Sequence, residues 1–210
     1  MKNRIYKTLL RLCLKLHNLA YRITTKLAIK AEGGLHPKHR LMNYHQFFVD
    51  NVNKDNKVLD IKCGNGTLTF DLTQKAKFVV GIDLSEKNIE VAQKKYRSEN
   101  IQYRVGDVTK DLDNHKFDVL VLSNVLEHIK DRVGFLKRVK KIAPKVLIRV
   151  PLLNRDWITL YKQELGIDWR LDQTHFTEYT VELFKEELEN AALSLEKYSI
   201  QFGEIWAIVR

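Results

Sequence analysis

Cysteine is scarce: Cys13 and Cys63 are the only two in 210 residues, far apart and in unlike contexts. Two isolated thiols exclude a disulfide framework and any zinc site built on paired cysteines. They suit reduced, semi-buried side chains in a cytosolic protein. Long apolar runs are lacking as well. Within residues 2–30 the purely apolar stretches are only a few residues long, so this segment cannot span a bilayer and has no signal-peptide core. Internal repeats, low-complexity tracts and a convincing linker are also missing. A chain of this length, 44% hydrophobic and 30% charged, therefore suits one soluble domain.

Acids are missing from one region only. Residues 2–30 hold eight Lys and Arg and no Asp or Glu. Residues 1–57 carry twelve cations against three acids (Glu32, Asp50 and Asp55), whereas residues 58–210 carry twenty-four against twenty-three. Almost all of the net charge of +10 thus belongs to an N-terminal extension, taken as residues 1–34, ahead of a nearly neutral body over 35–210. In that extension Ile5, Leu9, Leu12, Leu16, Leu19, Ile23 and Leu27 recur at steps of three and four, the spacing of one helix face. Arg4, Arg11, Lys15, Arg22 and Lys26 repeat with the same period on the opposite side. The pattern predicts a basic amphipathic helix over 2–30, broken near Thr24–Thr25 and ended by Gly33–Gly34. Its apolar face has three possible partners: an anionic membrane surface, a second subunit, or its own domain.

After a turn at Pro37, a short His- and aromatic-rich helix is expected over Leu41–Val52. Apolar strands at 57–61, 78–83, 101–105, 117–122 and 145–150 then alternate with polar-faced helices at 66–75, 85–99 and 131–142. This order predicts an α/β fold, a doubly wound and mostly parallel Rossmann-like sheet with right-handed crossovers. Beyond Pro151 come a Trp/Tyr-containing segment, a helix over 180–192, and two strands in "LEKYSIQ" and "EIWAIVR". Joined through Phe202–Gly203, these strands read as an antiparallel hairpin that closes one edge of a seven-stranded sheet.

Ligands of open parallel sheets bind beyond the carboxyl ends of the strands, where strand order reverses. Four strand ends here carry suitable residues. Asp60 is followed by Lys62, Cys63, Gly64 and Gly66 at the start of a helix; Asp83 and Leu84 end the second strand; Asp107 and Val108 follow the third; Ser123 ends the fourth. The turn "CGNGTL" lacks the third glycine of the dinucleotide fingerprint, which argues against NAD.

On these motifs the sequence resembles the class I S-adenosylmethionine-dependent methyltransferases. The resemblance covers roughly residues 40–210, through "VLDIKCGNG", "VVGIDLSEKNIEVAQKK", "YRVGDV" and "FDVLVLSNVLEHI". It implies S-adenosyl-L-methionine as cofactor, with Asp60 and the backbone of 63–66 at its methionine part. Asp83 and Leu84 would serve the ribose, Asp107 and Val108 the adenine, and Ser123 the methionyl chain. Lys62 stands where the family usually has a glycine. Strand alternation would aim it to the Asp60 side, to pair with Asp60 or the methionyl carboxylate, to turn to solvent, or to crowd the pocket.

For the methyl acceptor, Glu127 and His128 after the fourth strand and His175 in "RLDQTHFTEYT" are the candidate acid–base residues, and His36, His39 and His45 could form the opposite wall. Trp157, Tyr161 and Trp169 could stack on a ring, although packing of an inserted segment is the default. A Glu-His metal pair occurs in some relatives that methylate quinones or RNA ends. A second acid and a second His do not follow from the spacing here, so no metal is expected. The expected activity is O-methylation of a small-molecule, lipid-linked or glycan acceptor near a membrane. The alternatives are RNA methylation served by the basic helix, or cofactor binding without catalysis because of Lys62.

Overall fold

The computed structural model describes residues 2–108 and 116–210. One seven-stranded sheet runs β3-β2-β1-β4-β5-β7-β6. Its members are β1 (Lys57–Ile61), β2 (Phe78–Asp83), β3 (Ile101–Val105), β4 (Val119–Ser123), β5 (Lys145–Pro151), β6 (Leu195–Gln201) and β7 (Glu204–Val209). The first five are parallel, and β7 runs antiparallel to both β5 and β6. The C-terminal hairpin turns through Phe202 and Gly203, whose φ angles of 51° and 72° are both left-handed, as a tight hairpin turn with the right twist requires.

Helices cover both faces because the inner strands are apolar on both sides. Residues alternate along β1: Leu59 and Ile61 join a core with α6 (Arg132–Ile142) and α8 (Val181–Asn190), while Val58 joins one with α3 (Tyr44–Asp50) and α4 (Thr67–Leu72). Asp60 shares the α4 side and is bonded there by Thr69. The remaining helices are α1 (Lys2–Ala31), α2 (Lys38–Met42), α5 (Glu86–Lys95) and α7 (Trp157–Glu164). The edge strand β6 is largely exposed and carries Glu196 and Lys197, charges that discourage edge-to-edge pairing.

Three local expectations are corrected. The first helix is unbroken at Thr24–Thr25, where Thr25 Oγ1 donates to Tyr21 O (2.9 Å) within the helix. The Leu41–Val52 helix is two helices, α2 and α3, divided by Asn43 at φ 47°, a left-handed position that Asn tolerates. Cys13 is exposed on α1 and only Cys63 is buried. No helix among the described residues is long and apolar enough to cross a membrane.

A buried ion pair ties the hairpin to the parallel sheet. Arg149 on β5 is 1% exposed and grips Glu204 of β7 with two bonds, Nε to Oε2 at 2.5 Å and Nη2 to Oε1 at 2.9 Å. Trp206 Nε1 donates to the same carboxylate (3.1 Å), and the guanidinium lies 3.5 Å from the ring centre of Tyr44 on α3. Removing one partner would strand a charge in the core. Glu204→Ala is expected to lower the urea-derived unfolding free energy by about 3–5 kcal/mol, and the double change Arg149→Met/Glu204→Leu by clearly less.

Candidate active site

The strand order reverses between β1 and β4, and the loops beyond their carboxyl ends make the site. The β1–α4 loop is built from left-handed residues: Lys62 (φ 59°), Gly64 (φ 57°) and Gly66 (φ 83°). Gly64 donates its N–H to Asp83 Oδ2 (2.9 Å), and a side chain built on it would meet nothing within 4 Å. That open floor beside a carboxylate is where a ligand can approach the backbone. Gly66 has another role. A Cβ there would lie 2.7 Å from Ala92 and 2.8 Å from the Tyr103 hydroxyl, so this glycine lets the loop close onto α5 and β3. Cys63 packs into the same small cluster with Ile89, Ala92 and Tyr103, and burial pushes its thiol pKa up; only its backbone borders the loop.

The carboxylates expected at the strand ends are arranged around this floor. Asp83 also accepts from Ser85 N–H (2.8 Å) and Asn88 Nδ2 (3.2 Å), which fixes its orientation. Gly106 donates to Asp83 O (3.1 Å) and brings the Asp107–Val108 turn alongside. Leu84 is 70% exposed next to it, an apolar platform at the strand end. Asp60 is buried, and burial raises its pKa to about 7 against the bond from Thr69 Oγ1 (2.7 Å). Among the described residues, the hydrogen-bond partners of Asp60 and Asp83 are all uncharged. Two buried acids beside an open glycine floor fit a ligand that carries positive charge and ribose hydroxyls, and S-adenosyl-L-methionine has both.

Lys62 does not pair with Asp60. The strand ends at Ile61, and the left-handed backbone at Lys62 breaks the alternation that would have aimed it there. Its side chain is exposed, and its electrostatic neighbours are Glu127, Asp172 and Asp83; partial desolvation still lowers its pKa. The cation therefore sits between Asp83, beside the glycine floor, and Glu127 and Asp172.

Beyond β4, a 3-10 turn at Leu126–His128 meets the segment before α8. Phe176 N–H donates to Glu127 O (2.8 Å), and the His128 and His175 rings meet edge to face at 4.7 Å. Glu127 is fully buried, with Oε1 bonded by Asn124 Nδ2 (2.8 Å) and Oε2 without a partner; burial raises its pKa. Glu127, His128 and His175 each offer a ligand atom within 4.8 Å of the others. Sequence spacing hid this second histidine, which arrives from 47 positions along the chain. An orphaned carboxylate oxygen with two imidazoles is a donor set that fits a divalent cation, whose chemistry there would be to acidify a bound hydroxyl.

The orientation of His128 follows from one proton. Thr174 Oγ1 donates to Asp172 Oδ1 (2.8 Å) and so can only accept from His128 Nδ1–H (2.9 Å). The Nε2 lone pair of His128 is left free. Burial, followed by the charge of Lys62, lowers the His128 pKa to about 4, so the ring is neutral at pH 7.

Of these groups, Asn124, His128, Asp172 and His175 open into a cavity of about 640 Å³, bounded by α1, α7, the segment around Trp169–His175 and the hairpin turn. Of the three histidines expected on the far wall, only His36 lines it. His39 and His45 instead form a chain from Tyr44 Oη through His39 Nδ1 (2.7 Å) and His45 (3.1 Å) to Asp71 (2.6 Å), because α2 and α3 fold their ring edges together. Trp169 lines the cavity, whereas Trp157 is 71% exposed, so the inserted segment does not bury its tryptophans as core. Sequence reasoning missed Arg155 and Glu178. Their buried ion pair, with Arg155 Nη2 donating to Trp169 O (2.8 Å) and Glu178 accepting from His175 Nδ1 (3.2 Å), props up this wall. It also missed Arg149, although a lone cation inside "VLIRVP" was a visible signal.

Comparison with known proteins agrees with this fold. Residues 59–145 match the family described as Methyltransferase domain. Over those residues the chain carries a methyltransferase domain. Among its relatives is the ubiquinone biosynthesis O-methyltransferase of Bradyrhizobium diazoefficiens, 30% identical over 165 residues, 72% of this chain and 65% of that protein. The chain spans 39–65% of the length of such curated relatives. For the methyltransferase fold, a S-adenosylmethionine-dependent methyltransferase from Clostridium acetobutylicum aligns with a TM-score of 0.65 at 18% identity, covering 93% of this chain and 98% of that one. Magnesium protoporphyrin IX methyltransferase from Synechocystis, with bound SAH, aligns at 0.63 and 18%, covering 82% of each.

Two substitutions probe the cofactor side. Lys62→Gly relieves a left-handed lysine and is expected to raise stability by about 1 kcal/mol, with equal or tighter cofactor binding in calorimetry. For Asp60, the folded pKa of about 7 lies above the ordinary 3.8, so its ionisation opposes folding. The penalty is absent below the unfolded pKa, grows as pH rises, and is complete above pH about 7. Asp60→Asn should therefore raise the Tm of the cofactor-free protein more at pH 8.5 than at pH 5.5, while weakening cofactor binding.

Proposed function

We propose that this protein transfers a methyl group from S-adenosyl-L-methionine to a hydroxyl oxygen of a small acceptor held in the cavity. The observation that carries this reading is the unprotonated Nε2 of His128, oriented by Thr174 and Asp172, on a ring that lines the cavity. The O-methyltransferase name of the relatives supports it. The cofactor supplies an electrophilic methyl group on a sulfonium. Asp83 and the Gly64 backbone hold and orient it, and the cavity walls bring the acceptor oxygen into line behind the methyl carbon. As the oxygen–carbon bond forms and the carbon–sulfur bond breaks, His128 Nε2 takes the hydroxyl proton and returns it to solvent. Lys62, near the same edge, favours the developing oxyanion. Lipid-linked and glycan hydroxyls at a membrane surface are acceptors of the same chemistry.

Comparing small-molecule extracts of cells with and without the protein by mass spectrometry tests the reading: a hydroxyl compound heavier by one methylene should appear only with it. With that acceptor, His128→Asn is expected to lower kcat about 100-fold or more while SAH affinity is kept. With no cation on Glu127, His128 and His175, the His128 pKa lowered to about 4 makes the ring an available base above that pH, and the assay is run with a chelator. The wild-type rate should rise through pH about 4 and stay flat from 6 to 8, instead of rising through 6.5. Loss of SAH binding in the wild type, or a methylated RNA in place of a small molecule, would overturn the reading.

A further inference from the structure

Helix α1 is placed with its faces reversed. Seven aliphatic side chains between Ile5 and Leu27 form its regular stripe, and each is 48–59% exposed. The face about half a turn away meets the domain instead, at about 100° per residue. There Leu14 is buried, Asn18 Nδ2 donates to Asp168 O (2.6 Å), and Lys162 Nζ reaches Asn18 Oδ1 (2.6 Å) and His17 Nδ1 (3.0 Å). A surface helix ordinarily turns its apolar stripe inward. This one uses polar bonds to hold itself to the body and presents the stripe outward. Its own domain is thus excluded as the partner of that stripe.

The cations identify what covers it. Arg4, Arg11, Lys15, Arg22 and Lys26 lie about a quarter turn from the stripe, on its flank and not opposite it, and all are exposed. The helix has no acid from Lys2 to Ala31. Two copies packed stripe to stripe would crowd their cation rows together with no carboxylate on either helix to compensate. An anionic lipid surface satisfies both features at once: headgroups meet the cation row, and the acyl boundary takes the aliphatic stripe. We propose that α1 lies in the interface of an anionic lipid bilayer, stripe inward. His17, Asn18, Tyr21 and Thr25 of the same helix wall the cavity. Docking would therefore hold the cavity about one helix diameter, roughly 10 Å, from the headgroups. Only the reading of that cavity as the acceptor site rests on the proposed function; the docking itself does not.

The test is co-sedimentation of the full chain with vesicles of phosphatidylglycerol and phosphatidylcholine, or of phosphatidylcholine alone. SAH calorimetry and light scattering accompany it. The wild type should partition to the anionic vesicles, at least tenfold less to the neutral ones, and less at high salt. Leu12→Asp/Leu16→Asp should lose at least tenfold in partition with SAH affinity unchanged, because neither side chain touches the domain face. Arg11→Glu/Lys15→Glu should do the same through charge alone, which keeps the test decisive if the first variant fails to fold. A wild type that ignores anionic vesicles overturns the proposal, as does a pair of folded variants that both still bind. A vesicle-free dimer that Leu12→Asp/Leu16→Asp converts to monomer would assign the stripe to a second copy instead. SAH affinity is read separately, so failure of docking and failure of the proposed chemistry are distinguishable.

Discussion

The buried pair of Arg149 and Glu204 is the constraint on which the cavity side of the molecule rests. Arg149 sits near the carboxyl end of β5, where its main chain accepts from Asn124 N–H and its Nη1 reaches Ser123 Oγ (3.2 Å). The same side chain holds β7 through Glu204 and stacks on Tyr44 of α3. Four elements meet at one guanidinium. Such a pair adds little net stability over an apolar substitute, because desolvation consumes most of the attraction. What it supplies is position: the hairpin turn, the β4 loop and the N-terminal helices take one arrangement around the cavity mouth.

The glycine-floor side depends on backbone conformation. The β1–α4 loop needs three left-handed residues within five positions, and two are glycine. The third is Lys62, which accepts the strained conformation and places a cation between Glu127, Asp172 and Asp83. The local electrostatics make that placement useful. Glu127 is buried with one unpartnered oxygen, and the His128 ring is kept neutral chiefly by burial and next by the Lys62 charge. The same substitution thus costs backbone strain on one side of the loop and adds an electrostatic group on the other.

The amino-acid sequence determined the sheet, because alternating apolar strands and polar-faced helices have few topological solutions, and every strand was legible to within two residues. It also determined the ordered acids Asp60, Asp83 and Asp107, since each lies at or within two residues of the carboxyl end of a strand and strand ends can be read from hydrophobic pattern alone. Helix periodicity likewise exposed the aliphatic stripe and the cations of α1.

Only the tertiary structure decided which faces and which distant residues meet. It brought His175 to Glu127 and His128, paired Arg155 with Glu178, withdrew His39 and His45 from the cavity, and turned the α1 stripe away from the body. The break at Asn43 and the turn of Lys62 depend on single left-handed residues, which hydrophobic periodicity does not register. The physical reason is common to all of these. Periodicity along a chain reports what one element presents to its surroundings, whereas a site is made by the long-range closure of several elements on one another.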